Sequence, residues 1–266
     1  MYLCAKIKEN IMIKYLEKIH ESRIFRKKDI VALKTDENAA KELLRRYKRK
    51  QLISQIRRDL YAATDFATKA PLVSKFEVAS QINDSAHLAY HSALEYYGLA
   101  NQVFYEMVVA SNQRFNDFEY NGIRYFYAES KINIGVVNPR TDSLIKITDL
   151  ERTIIDCIDR IDLSGGLEEL VQCFSLITYV NENKLIGYLS VFDKQFLYQK
   201  AGFILGYFQN EMKLNKHFFD YCKSKTGKST RYLTNSNESD TYFNEWRLCA
   251  PQNILSFLEQ GGSVLV

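Results

Sequence analysis

Residues 36–61 read DENAAKELLRRYKRKQLISQIRRDLY, and this stretch decides the fold of the first quarter of the chain. Ala40, Leu43, Leu44 and Tyr47 recur at i, i+3, i+4 and i+7, which draws one apolar stripe along a helix. The opposite face presents Asn38, Lys41, Arg45, Lys48 and Arg49. Asp36 or Thr35 can cap this helix by accepting from the free N–H groups of its first turn. After Lys50, segments 52–55 and 60–63 can pair as a small hairpin around Arg57-Arg58-Asp59.

Two further helices precede it. Segment 11–23 places Met12, Ile13, Leu16 and Ile19 at helical spacing, and segment 27–33 turns Ile30, Val31 and Leu33 inward. Three helices with a basic third one, followed by a hairpin, describe a winged helix-turn-helix, in which the third helix enters the major groove of DNA with its first turns leading. Asn38 and Lys41 then sit where base edges are met: asparagine bonds adenine in two places and lysine bonds guanine acceptors. Arg45, Lys48 and Arg49 lie where phosphates are expected. Arg57 and Arg58 occupy the hairpin tip, and Lys27 and Lys28 open the second helix, where the positive end of its dipole adds to phosphate attraction. A solvated lysine-rich face is the bland alternative. A basic helix lying on a membrane or on a partner protein is the other, and the flanking hairpin and helices argue against it.

Charge distribution points the same way. Residues 1–64 hold 17 Lys and Arg against 8 Asp and Glu, a net of +9; the remaining 19 basic and 24 acidic residues give −5, together the overall +4. A basic end on a mildly acidic body suits a polyanion-binding module on a carrier. With 266 residues, 46% of them apolar, the chain has room for two domains, expected at 1–65 and 66–266. No apolar run is long enough for a membrane span, and the first residues lack the pattern of a signal peptide. Five widely spaced cysteines with no CxxC pair read as free thiols in a reducing cytoplasm.

Beyond a connector at 66–78, Ser85 can cap a helix over 86–97 that Gly98 would stop. Segments 103–110 and 132–137 have strand character. Asn121-Gly122 joins 118–120 to 123–127 as a hairpin, because both turn residues tolerate positive φ. From residue 148 the pattern turns helical, over 150–161, 167–180, 186–202, 205–210 and 217–223, before a polar and β-type tail. The fold class expected is α+β: the winged helix-turn-helix, then a larger mixed domain of a small sheet followed by helices.

Several side-chain patterns carry chemistry only weakly. His87, His91 and Glu95 fall four apart, as metal ligands on a helix can, but no fourth ligand is evident and neither metal nor cofactor is expected. Asp117 followed by Glu129-Ser130-Lys131 has the order of a Mg²⁺-dependent nuclease site, in which two carboxylates hold the metal and the lysine polarises a phosphate. That is the enzymatic alternative; a third possibility is a protein-interaction adaptor. Asp149 or Thr148 can cap the helix at 150, and Arg152 can pair with Asp156 one turn on. Gly165-Gly166 makes the turn into the next helix. The aromatic cluster Tyr120, Tyr125, Phe126 and Tyr127 reads as hairpin packing rather than a base-stacking platform.

Three segments, SAHLAYHSALEYYGLANQ (85–102), IKITDLERTIIDCIDRIDLSGGLEEL (145–170) and ESDTYFNEWRLCAPQNIL (238–255), resemble proteins of the AbiEi type. These are the antitoxin and regulator partners of AbiE phage-resistance toxin–antitoxin systems, classed as type IV. The resemblance covers most of the chain and departs from the family in a longer leader before Ile11. It implies a non-enzymatic autorepressor that binds inverted repeats of its own promoter; because one winged helix is a small reader, a dimer or cooperative pair on such a repeat is expected. It also implies a C-terminal domain that opposes a nucleotidyltransferase-like toxin without requiring a stable complex. Asp149, Glu151, Arg152, Asp156 and Arg160 fall in the matched segment and would form the antitoxin surface.

Overall fold

A computed structural model describes residues 15–33, 36–130, 132–234 and 241–260. The described part of α1 covers residues 15–22, with 11–14 of the expected helix outside the described residues. Arg23 then takes a left-handed φ of +56° and redirects the chain into strand β1, Ile24–Arg26. Helix α2 (Lys27–Leu33) and helix α3 (Glu37–Arg49) follow, then strands β2 (Ile53–Arg57) and β3 (Leu60–Ala63). The three strands form one antiparallel sheet in the order β1-β3-β2. Strand β1 is absent from the sequence reading: three residues between two helices are too few to display alternation.

Asp36 caps α3 by accepting from Asn38 N at 3.2 Å and Ala39 N at 3.0 Å. The expected stripe, Ala40, Leu43, Leu44 and Tyr47, is buried against Ile19, Phe25, Ile30 and Ile53. Each fully buried leucine contributes roughly 1.5–3 kcal/mol relative to exposure. Strand β3 is buried on both sides. Tyr61 and Ala63 face this small core, whereas Leu60 and Ala62 face the body of the protein with Ile24 and Ile56.

Where a connector was expected, residues Lys75–Ser80 form helix α4. Ser74 and Glu77 close a reciprocal cap: Ser74 Oγ accepts from Glu77 N, and Glu77 Oε2 accepts from Ser74 N at 2.7 Å. The expected helix over 86–97 is corrected at its start. Strand β4 (His87–Leu88) comes first, and helix α5 covers only Tyr90–Tyr96. Leu88 sits between two other strands, so ladder hydrogen bonds and burial on both faces override local helical preference. Gly98 ends α5 at φ +71°, as expected.

Strands β5 (Glu106–Ser111), β6 (Phe118–Tyr120), β7 (Ile123–Glu129), β8 (Val136–Val137) and β9 (Ile147–Thr148) join β4 in a six-stranded mixed sheet, ordered β6-β7-β5-β4-β9-β8. Asn121 and Gly122 carry φ +52° and +75° in the expected hairpin turn. Side-chain alternation makes this sheet a middle layer. Met107 and Val109 face α4 and the N-terminal sheet, while Val108 and Ala110 face helices on the other side.

Those helices are α6 (Leu150–Asp159), α7 (Gly166–Ser175), α8 (Glu182–Phe192), α9 (Gln195–Gly206) and α10 (Lys216–Lys225). The single helix expected over 186–202 is two, because Asp193 adopts φ +45° and ends α8; aspartate is one of the few residues that tolerates this conformation. Residues 207–213 form turns instead of the expected helix. A second small sheet, β10 (Arg231–Tyr232), β11 (Thr241–Phe243) and β12 (Leu248–Ala250), closes the helical side, followed by helix α11 (Ser256–Gln260). The molecule is α+β. Among the described residues no helix is long and apolar enough to cross a membrane, and Cys157, Cys173, Cys222 and Cys249 are free thiols; Cys4 lies outside the described residues.

Candidate nucleic-acid interface

Helix α3 is amphipathic in the strict sense: its apolar stripe is sealed and its other side is open. Asn38, Lys41, Arg45, Lys48 and Arg49 are all exposed, and no part of the body covers them. Arg46 and Lys50 are exposed too and enlarge the basic surface. Sequence reasoning passed over both, although the run RRYKRK contained the signal. The face is not uniformly positive. Glu37 lies between Lys27 (3.1 Å) and Lys41 (3.4 Å), and these two ammonium groups hold its carboxyl below the usual carboxylate range. Glu42 stands 3.9 Å from Arg45. Lys48 donates to Gln55 Oε1 at 2.5 Å, which ties the last turns of α3 to β2.

Lys28 is exposed at the start of α2 and Arg58 is exposed in the two-residue turn Arg58-Asp59. Arg57 does not join them at the tip. A bulge between Gln55 and Arg57 inserts one extra residue, and this turns the Arg57 side chain toward the body instead of toward α3. There its guanidinium lies 5.1 Å from the Phe118 ring centre and 5.6 Å from that of Phe115. Burial and the neighbouring Arg26 lower its pKa. The hairpin is thus pinned to the body, further secured by Ser54 and Tyr120 hydroxyls 2.5 Å apart. Arg23 adds an ion pair to Glu77 at 2.8 Å and another to Asp142 at 3.2 Å, and Arg26 donates to Gln81 O. Lys27, Lys28 and Asp59 border a cleft of about 320 Å³ shared with Asn83, Asp84 and Gln113. The basic helix is consequently held at a fixed angle to the body.

The five residues implied as an antitoxin surface are not a surface. Glu151, Arg152 and Asp156 are buried, Asp149 is half-buried, and only Arg160 is exposed. Helix α6 is covered on several sides, so its charges pair internally. Arg152 Nε donates to Asp156 Oδ1 at 2.8 Å, the expected i,i+4 pair, and its Nη1 donates to Ile134 O at 2.7 Å. Burial raises the Asp156 carboxyl to about 6, against the pull of Arg152. Asp149 caps the helix, accepting from Arg152 N, from Tyr188 OH at 2.7 Å and from Lys184 at 3.0 Å. Glu151 accepts from Asn181 N at 2.9 Å. Arg160 forks onto Asp162.

The residues weighed as metal ligands separate as well. His87 is in β4, its Nδ1 2.8 Å from Ser85 O, and burial lowers its pKa to about 4. His91, in α5, meets Glu169 at 3.1 Å, and Glu95 pairs with Lys75. The break between β4 and α5 puts the two histidines on different elements. Asp117 accepts from Tyr127 N at 3.1 Å and faces Arg124 at 3.4 Å, while Glu129 is exposed at the end of β7. Lys131 lies outside the described residues. Among the described residues no group of three or more His, Cys, Asp or Glu side chains is placed to hold a metal ion. The aromatic cluster packs as expected, with Tyr125 buried and stacked 4.9 Å from Phe118.

No family model matches the chain, and no curated protein sequence matches it. Among solved structures it is similar to the crystal structure of the RV2827C protein from Mycobacterium tuberculosis, at 12% sequence identity and a TM-score of 0.65. The likeness covers 96% of this chain and 95% of that one, and it is a likeness of fold.

Proposed function

We propose that this protein is a cytoplasmic, DNA-binding autorepressor whose residues up to about 65 act as a winged helix, and that it serves as the antitoxin of a nucleotidyltransferase-like toxin. One observation carries the DNA-binding part: a 13-residue helix is sealed on its apolar side and presents an exposed, mainly cationic side, with a hairpin beside it. Buried leucines on one face fix the helix, so its backbone need not be ordered at the moment of binding. In this reading Asn38 and Lys41 meet base edges, and Arg45, Arg46, Lys48 and Arg49 meet phosphates with Lys28 and Arg58 alongside. A dimer or cooperative pair on an inverted repeat doubles the few base contacts one helix can make. Repression is by occupancy and needs no catalytic step.

The antitoxin part rests on the resemblance of segments 85–102, 145–170 and 238–255 to AbiEi-type proteins. Since Glu151, Arg152 and Asp156 of the middle segment are buried, these residues contribute as a rigid scaffold. A promoter–reporter strain tests the account. Wild type is expected to repress the promoter of its own operon, and Asn38→Ala with Lys41→Ala to relieve repression at normal protein level. Co-expression with the neighbouring toxin gene is expected to restore growth. Full repression by the double variant would overturn the assignment of α3, and toxicity undiminished by wild type would overturn the antitoxin reading.

A further inference from the structure

Helix α9 carries glycines at 202 and 206, one turn apart, and packing accounts for only the first. A Cβ on Gly202 would stand 2.1 Å from Cζ3 of Trp246, so the indole ring occupies the place of a side chain. A Cβ on Gly206 would meet only Phe219, at 3.9 Å, an ordinary contact. Gly206 is not among the residues of positive φ. Gly206 is the last residue of α9, and neither a close neighbour nor a left-handed turn requires glycine there. What the missing side chain does is leave open a cavity of about 410 Å³ between α9, α10 and the β11–β12 turn.

The cavity has a defined chemistry. Trp246, Phe219 and Phe243 supply aromatic surface beside the bare backbone of Gly206, and Lys216 and Lys223 stand at its edge with Glu245. Lys223 is occupied: it bonds Glu245 Oε1 at 2.5 Å and lies 5.5 Å from the centre of the Trp246 ring. Lys216 is exposed and has no carboxylate partner among the described residues. Two lysines and one glutamate leave the cavity with one uncompensated positive charge. A hollow of this size that combines aromatic walls with a few convergent polar groups is the usual form of a small-molecule site.

We propose that this cavity binds a small aromatic acid, its ring laid against Trp246 and Phe219 over Gly206 and its carboxylate at Lys216. The site lies in the helical side of the molecule and is independent of the DNA-binding reading. It gives the protein a ligand-responsive position separate from α3.

Trp246 is the sole tryptophan of the chain, so its emission reports occupancy directly. The full-length protein is titrated with benzoate, phenylacetate and cinnamate, and with the corresponding neutral amides. At least one acid is expected to change Trp246 emission saturably, with half-saturation near or below about 1 mM, a value consistent with a fragment-sized ligand. The matching amide is expected to bind at least about tenfold more weakly. Lys216→Ala is expected to erase the preference for acid over amide while leaving amide binding in place. Gly206→Leu fills the hollow and is expected to abolish binding, with unchanged circular dichroism and an unfolding temperature at or above that of wild type. The proposal is overturned if no acid gives a saturable change, if acid and amide bind alike in wild type, or if folded Gly206→Leu still binds.

Discussion

Gly202→Ala sets two effects of known size against each other. Inside a helix, replacing glycine by alanine ordinarily stabilises by about 1 kcal/mol. Here the new methyl would stand 2.1, 2.3 and 2.7 Å from three carbons of the Trp246 ring, where carbon atoms normally stay about 3.5–4.0 Å apart. The ring must therefore retreat by roughly 1.4 Å, the difference between that lower contact limit and the closest approach. It has little room: Trp246 is buried, and its carbonyl accepts from Gln199 Nε2 at 2.9 Å. Overpacking of this kind costs about 1–3 kcal/mol and sometimes more. An overlap of roughly 1.4 Å against a buried ring puts the cost at the top of that range, about 3 kcal/mol, so the steric effect wins with a net loss of about 2 kcal/mol, or a fall of roughly 4–8 °C in unfolding temperature for a protein of this size. Guanidinium titration read by Trp246 emission and by circular dichroism measures it. A double variant, Gly202→Ala with Trp246→Leu, is expected to lose less than the sum of the two single changes, since the overlap disappears with the indole. A Gly202→Ala protein as stable as wild type, or more so, would refute the reasoning.

Other expectations follow from single residues. Burial holds His87 neutral in the fold until about pH 4, whereas the unfolded imidazole protonates near 6.5. Its contribution is thus fully present above pH 6.5 and is lost as pH falls toward 4, by about 3 kcal/mol in all; His87→Gln is expected to flatten that part of the stability–pH curve in urea titrations. The two arginines of the hairpin part company: Arg57→Ala lowers stability by about 1 kcal/mol through lost ring contacts and leaves DNA binding unchanged. Arg58→Ala leaves the urea midpoint unchanged and weakens DNA binding. Ser74→Ala removes one half of the cap on α4 and costs about 0.5–2 kcal/mol, measured by the same denaturation.

The periodic features were legible in the sequence. The stripe of α3 and the Asn121-Gly122 turn depend on residues close together in the chain, and both are where periodicity and turn chemistry put them. The misplacements have non-local causes. His87 and Leu88 belong to a strand only because β5 and β9 lie on either side of Leu88. Arg57 faces the body because one extra residue in β2 shifts alternation, and no composition signal marks a bulge. Arg152 was rightly paired with Asp156, but the spacing of charged and apolar residues along α6 does not reveal that several layers close over it. On the exposed side of α3 the expected residues are all open, since on an amphipathic helix the open face follows from the buried one; Arg46, Lys50 and the two glutamates Glu37 and Glu42 share that side and were passed over.

The central claim is that the exposed face of α3 rests on duplex DNA, and the salt dependence of binding tests it most directly. Fluorescence anisotropy with a labelled duplex from the operon's promoter, titrated from low to high salt, gives a log–log slope of roughly −0.9 per neutralised phosphate. The account predicts that replacing Arg45, Lys48 and Arg49 together by alanine makes this slope shallower by roughly 3 units, with the fold intact. An unchanged affinity and slope in the triple variant would contradict it.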